Sequence, residues 1–257
     1  MVQLFNVVLY QPILNALVFL YNIIPGHDLG IAIIILTILV KLLIYPLTRQ
    51  SIKGQKALQD LQPKIDALKL KYKDNKEQQA KEMMELYKQE KVNPLSSCLP
   101  LLIQLPLLIA VYRVFIDAIP AQNLDSIYSF INNPGQLNPI AFGFVNLAIP
   151  NVVLAVLAGA AQFWQTKMLM TKKAPKNMPG AKDENMMAMM NKQMQYFMPI
   201  ITIIIGLRFP GGLTLYWFVL TLLTALQQVW MFRHDDKNNP PQIIEGQKIE
   251  DQKKLGN

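Results

Sequence analysis

Long apolar runs alternate with short lysine-dense ones along this chain, and that alternation restricts the fold more than any other feature. We read five hydrophobic spans, at residues 29–48, 95–117, 140–166, 195–209 and 213–232. Each approaches the roughly 20 apolar residues that a helix needs to cross a bilayer. Of the whole chain 52% is hydrophobic and 16% charged, against about 25% charged in an ordinary soluble domain. Because the few charges are segregated between the runs, the expected class is an all-α membrane protein with five transmembrane helices. One cysteine, Cys98, and two histidines, His27 and His234, exclude a disulfide framework and a zinc site built from Cys and His.

The basic residues give an orientation. Segment 49–94 holds eleven Lys or Arg, segment 167–194 six and segment 233–257 five, which is 22 of the 25. The opposite loops, 118–139 and 207–212, hold only Arg208. The positive-inside rule therefore places the lysine-rich segments in the cytoplasm, with the N-terminus outside and the C-terminus inside. The net charge of +8 is then a topological signal, and a nucleic-acid partner is expected only as a ribosome at the cytoplasmic face.

Three domains follow. Residues 1–25 are apolar but interrupted by Pro12, and Gln11, Asn15 and Asn22 fall on one helical face. The expected form is an amphipathic helix in the outer interface, with a sixth span as the competing reading. Residues 26–233 form the core. Within it, segment 49–94 places Ile65, Leu68 and Tyr72, then Ala80, Met84 and Tyr87, at helical spacing around a turn at Asp74 and Asn75. This predicts a cytoplasmic hairpin of two short helices, either a docking paddle or a solvated loop. Pro210, Gly211 and Gly212 are expected to reverse the chain between the last two spans. Methionines crowd segment 178–198, as a helix start or an adaptable apolar surface, and the tail 234–257 is expected to be disordered.

An ionisable residue inside a span is the first functional candidate. Lys41 lies about 18 Å along its helix from Leu29 and about 12 Å from Arg49, in the cytoplasmic half of the bilayer. A snorkelling amine is the alternative. Against that alternative, Thr37, Lys41, Tyr45 and Thr48 form one polar stripe, and Thr214, Trp217, Thr221, Thr224 and Gln228 form another on the fifth span. Gln162 and Gln165 on the third span and Gln104 on the second add amides. Single buried amides often only join helices; several such faces with a lysine favour a shared hydrophilic cavity. No nucleophile elbow, H-E-x-x-H or phosphate loop is present, so neither catalytic residue, metal nor cofactor is expected.

The stretch IIILTILVKLLIYPLT, the hairpin with KVNPLSSCLPLLIQLP after it, and the end MQYFMPIITIIIGLRFPGGLTLYWFVLTLLTALQQ resemble the YidC-type membrane protein insertases. That family includes the mitochondrial Oxa and chloroplast Albino proteins, and the resemblance covers about residues 5–233. It implies five core helices around a hydrophilic groove that is open to the cytoplasm and bilayer and closed outside. Along that groove, short polar segments of nascent membrane proteins cross while their apolar spans enter the lipid. Lys41 takes the groove-charge position, Thr37 the polar position one turn earlier, and Tyr216 and Trp217 the aromatic pair of the last helix. With Tyr45, Gln104, Gln162, Gln165 and Thr221 these make the expected groove. Three departures stand out: Lys41 where arginine is usual, Ser97 where glycine is common, and Thr221 where asparagine is common. The absence of a large outer domain before the core resembles Gram-positive or organelle members. Expected partners are nascent membrane proteins, the ribosome and the lipid bilayer, with the signal recognition particle pathway and the Sec translocon as further candidates. The expected location is a bacterial plasma membrane. A secondary transporter or channel, and a static assembly factor, are the rival functions.

Overall fold

The structure is a computed structural model that describes residues 2–93, 99–119, 124–169 and 195–238. The tail from residue 239, Ser97 and Cys98, and most of the methionine-rich stretch lie outside the described residues. The regular structure of the described chain is helical apart from one small antiparallel ribbon.

A helical rod opens it: α1 (Val2–Phe5), a π-helical turn (Asn6–Tyr10) and α2 (Gln11–Ile23). Pro12 does not break this rod. In the π turn the Gln11 N–H bonds to the Asn6 carbonyl five residues back, and Pro12, lacking an N–H, falls in the first turn of α2 where none is needed. The expected polar stripe is used inside the protein rather than at its surface. Asn15, 2% exposed, donates to the Ser126 carbonyl at 3.0 Å and accepts from the Tyr128 N–H at 2.7 Å. Asn22 donates to the Asn132 carbonyl at 2.7 Å. Leu14, Leu17 and Val18 fill the core on the same rod, while Leu4, Val7, Val8, Phe19 and Ile23 are exposed.

Next come α3 (Leu29–Leu43) and α4 (Tyr45–Lys71), which meet at a bend of 69°. Asp28 caps α3 by accepting from the Ile31 N–H at 3.0 Å. The bend follows from Pro46, which removes a hydrogen-bond donor from the helix and is tolerated only in a first turn. The span expected at 29–48 is therefore bent near Ile44. Helix α4 has 27 residues, much longer than the short helix expected. A turn at residues 72–75 leads into α5 (Lys76–Gln89), where Asn75 caps by accepting from the Gln78 N–H. The predicted hairpin and its turn are present. Of its expected apolar stripe only Ile65 is well buried, joined by Leu61 one turn earlier, and α5 buries no residue.

Helix α6 (Leu99–Ala118) is followed by an extended segment with the ribbon β1 (Ile140–Ala141) and β2 (Val145–Asn146). The third expected span, 140–166, starts twelve residues too early: α7 is Val152–Leu169. Phe142 and Gly143 at positive φ turn the ribbon, and Asn151 starts the helix by accepting from the Leu154 N–H. Apolar composition ran on through the ribbon, so hydropathy alone could not separate strand from helix.

Helices α8 (Gln195–Gly206) and α9 (Gly211–Asn238) complete the fold. On α7, Ala155, Ala158 and Ala161 are buried, and a Cβ at Gly159 would lie 2.4 Å from Ile203 of α8. Small residues let these backbones approach, the usual source of helix contact in lipid. The two glycines after Pro210 also differ from expectation. They are the first residues of α9, and the N–H groups of Gly211 and Gly212 bond to the carbonyls of Ile149 and Leu147. A Cβ on Gly211 would press on the Ile149 carbonyl at 3.1 Å. The break itself is residues 207–210, with Pro210 directly before α9.

By length and composition, Gln3–Ile23 and Gly211–Arg233 are long and apolar enough to cross a membrane, and the bent α3–α4 pair is a third candidate.

Candidate functional site

The bend after α3 brings the start of α4 alongside the second half of α9, and the polar stripes meet there. Thr37, Lys41 and Thr48 are buried on one side, and Thr221 and Gln228 on the other, while Thr214, buried in the first turn of α9, donates instead to the Gly206 carbonyl at 3.3 Å. The Lys41 Nζ donates to the Thr224 Oγ1 at 2.8 Å. The Thr224 hydroxyl in turn donates to the Leu220 carbonyl at 2.7 Å, so its lone pair is free for the ammonium. One turn nearer the start of α3, Thr37 is fully buried and satisfies its hydroxyl on the Ile33 carbonyl at 2.6 Å. Toward α4, Gln227 donates weakly to Thr48 Oγ1 at 3.5 Å.

Lys41 is 7% exposed and no carboxylate pairs with it among the described residues. A buried ammonium without a counter-ion is costly, and one threonine oxygen satisfies one of its three donors. Beside it opens a cavity of about 160 Å³ lined by Ile38, Lys41, Leu42, Tyr45, Leu223 and Gln227. The amine therefore borders an opening with otherwise largely apolar walls. This geometry suits attraction of an anionic or acceptor-rich segment. It also departs from snorkelling, because the amine is held by the neighbouring helix.

The remaining candidates divide. Tyr45 lines the cavity. Tyr216 is fully buried and accepts from Gln104 Nε2 at 3.3 Å, which ties α6 to α9. Thr221 is buried and Trp217 half-buried on α9. Gln162 and Gln165 are half-buried on α7, and no hydrogen bond joins them to the Lys41 cluster. Thr224 belonged to the predicted stripe without being singled out, and Gln227 was missed. Gln227 is one position off that stripe, and only the neighbouring helix shows that it borders the cavity.

The 60Kd inner membrane protein model matches residues 19–238. Among curated relatives, the "Membrane protein insertase YidC" of Pelobacter propionicus is 36% identical over 226 residues, covering 87% of this chain and 38% of the relative. The protein of the same name from Geobacter sulfurreducens is 34% identical over 227 residues, covering 88% and 37%. That of Aeromonas salmonicida is 34% identical over 213 residues, covering 82% and 34%. The chain thus spans less than two-fifths of the length of these relatives. The match takes in α3 to α9, including every residue around Lys41, and the helical, apolar build agrees with a membrane-embedded protein. The chain belongs to the 60Kd inner membrane protein family.

Proposed function

We propose that this chain is a membrane protein insertase whose working surface is the Lys41 cleft between α3, α4 and α9. The observation that carries this reading is an ammonium held inside an apolar helix pair, unpaired by any described carboxylate, at the edge of an open cavity. A polar segment crossing a layer of about 30 Å of hydrocarbon is helped by hydration and charge partway across. The adjoining apolar span of the substrate partitions into lipid through its own hydrophobicity. The names of the relatives support the same activity.

In this reading α3 with the first turn of α4, and α6, α7, α8 and α9, are the five crossings around a hydrophilic groove. The α4–α5 hairpin is a cytoplasmic docking element, residues 124–151 lie outside, and the rod of α1 and α2 lies in the outer interface. The N-terminus is outside, the C-terminus is cytoplasmic, and the membrane is a bacterial plasma membrane. The substrates are nascent membrane proteins delivered by ribosomes, with the signal recognition particle pathway and the Sec translocon as upstream partners.

The test is insertion of matched single-span substrates that differ only in acidic residues of the translocated segment. Lys41→Arg should retain activity, because a guanidinium stays charged and binds carboxylates in pairs. Lys41→Ala should slow acidic substrates more than neutral ones, and Lys41→Glu should slow the acidic ones further. Equal activity of Lys41→Ala across the series would remove the lysine from the mechanism. Solute flux without insertion after reconstitution would replace the insertase reading with a transporter.

A further inference from the structure

The ribbon of β1 and β2 carries an apolar tip that the protein holds outward. Phe144, in the turn between the strands, is 82% exposed, yet the backbone around it is fixed. Phe142 sits at positive φ, a strained conformation for a bulky residue, and Asp28 at the cap of α3 accepts its N–H. A Cβ on Gly30, in the first turn of α3, would lie 2.6 Å from the Ala141 Cβ and 2.9 Å from the Phe142 ring. Only glycine there lets the ribbon lie against the helix. After the ribbon, the Leu147 and Ile149 carbonyls accept from Gly212 and Gly211 in the first turn of α9. The ribbon is therefore level with the first turns of α3 and α9, and it runs directly into α7. The chemistry of this end is unusual for a loop. Between Asp125 and Lys167 there is no Asp, Glu, Lys, Arg or His, where a soluble stretch of ordinary composition is about one quarter charged. Its asparagines serve the backbone instead: Asn133, Asn138 and Asn146 accept from the N–H groups of Gly135, Ile140 and Ala148 at 2.9–3.0 Å. Backbone satisfied in this way needs less from water. Farther along the chain Ile149, Val152, Val153 and Val156 are exposed as well, so exposed apolar side chains continue from the tip into α7.

We propose that the ribbon tip is a lipid-binding element: the Phe144 ring inserts into the boundary between headgroups and acyl chains at the outer face of the membrane. The inference rests on the membrane crossings of the proposed function, and not on the insertion of substrates. Aromatic rings are favoured at that boundary. A loop without charges and with its backbone bonded internally enters it without stripping water from an ion. Asp28, Gly30, Gly211 and Gly212 join the ribbon and the chain after it to α3 and α9, so a ring held at the boundary holds both helix starts at one level. The tip is thus a depth stop for the sealed end of the molecule. Water and a second copy of the chain are the other occupants of this surface, and the experiment separates them.

The full chain is placed in liposomes, with Cys98→Ser as background and an environment-sensitive NBD probe on Phe144→Cys, Val156→Cys or Met84→Cys. Lipids carrying a nitroxide near the headgroup report contact with the boundary, and iodide on both sides of the bilayer reports contact with water. The expected result at 144 is blue-shifted emission and a several-fold larger loss to the nitroxide lipid than to iodide. Met84, exposed on the α5 hairpin, should show the reverse. Iodide quenching at 144 as strong as at 84 would put the tip in water and overturn the proposal. Protection from both quenchers would show a protein cover and overturn it too, with a disulfide between two copies of the Phe144→Cys chain identifying the cover as a second copy. Lipid quenching at 84 equal to that at 144 would show a probe that seeks lipid by itself, and it also counts against the tip. Lipid quenching at 156 but not at 144 refutes the tip alone, whereas none at 156 refutes the crossings on which it rests. Should the 144 variant fail to accumulate, the unaltered chain is photolabelled with a lipid that crosslinks from its headgroup. Adducts should then fall within residues 140–149, and adducts only elsewhere overturn the proposal.

Discussion

The two ends of the molecule are held together in opposite ways. At the end carrying residues 124–151, side chains bond to backbone groups more than a hundred residues away. Asn15 holds Ser126 and Tyr128, Asn22 holds Asn132, the Tyr21 hydroxyl accepts from the Asn138 N–H, and Asp28 accepts from the Phe142 N–H. The glycine N–H groups that open α9 close the same end onto Leu147 and Ile149. At the other end the α4–α5 hairpin rests on two buried apolar residues of its own, the Lys64–Glu90 ion pair and a bond from Gln79 to the Lys69 carbonyl. In the proposed orientation the first end borders lipid, where irregular backbone must find hydrogen-bond partners inside the protein, and the hairpin faces water, where it has no such requirement.

That contrast can be broken from either end. The largest effect is expected from deleting residues 60–90. Insertion should be lost while the thermal stability of the rest is nearly unchanged, because the hairpin shares little buried surface with the core. An active deletion variant would end the docking role. Asn15→Ala should cost about 2 kcal/mol, since it leaves the Tyr128 N–H and the Ser126 carbonyl unpaired. Denaturation in detergent measures this, and faster proteolysis within 124–138 should accompany it. An unchanged midpoint would mean that the stitching contributes little. Lys64→Ala should shift stability by less than about 0.5 kcal/mol, because both partners of that ion pair are well exposed. A larger loss in the same assay would make the hairpin a fixed part of the fold. Smallest of all should be the effect of removing residues 237–257 on ribosome binding, measured by co-sedimentation. Segment 233–257 carries five basic and five acidic residues, so its net electrostatic attraction is weak.

Much of the site was legible because it lies on regular helices. Thr37, Lys41 and Thr48 repeat at helical spacing, and so do Thr214, Thr221, Thr224 and Gln228, so each face could be drawn before any packing was known. The asparagine stripe of the N-terminal rod was equally visible, but periodicity reports that a face is polar without saying what it meets. Here Asn15 and Asn22 meet the backbone of residues 126–132. The glycines after Pro210 show the same limit. Glycine next to proline signals a turn, yet these two serve close backbone approach inside a helix start.

The sequence by itself determined the helices, the hairpin turn at Asp74 and Asn75, the segregation of charge and the two polar stripes. Each depends on neighbours within a few residues, where hydrogen bonding and side-chain period are decided locally. Only the tertiary structure decided that α3 and α4 meet at 69°, that α7 begins at Val152 after a ribbon, and that Lys41 is held by Thr224. The same is true of the cavity beside Lys41 that Tyr45 and Gln227 help to line. These are properties of surfaces brought together from residues as much as 183 positions apart. Whether a polar group is satisfied or orphaned depends on the surface it faces, and no local pattern carries that information.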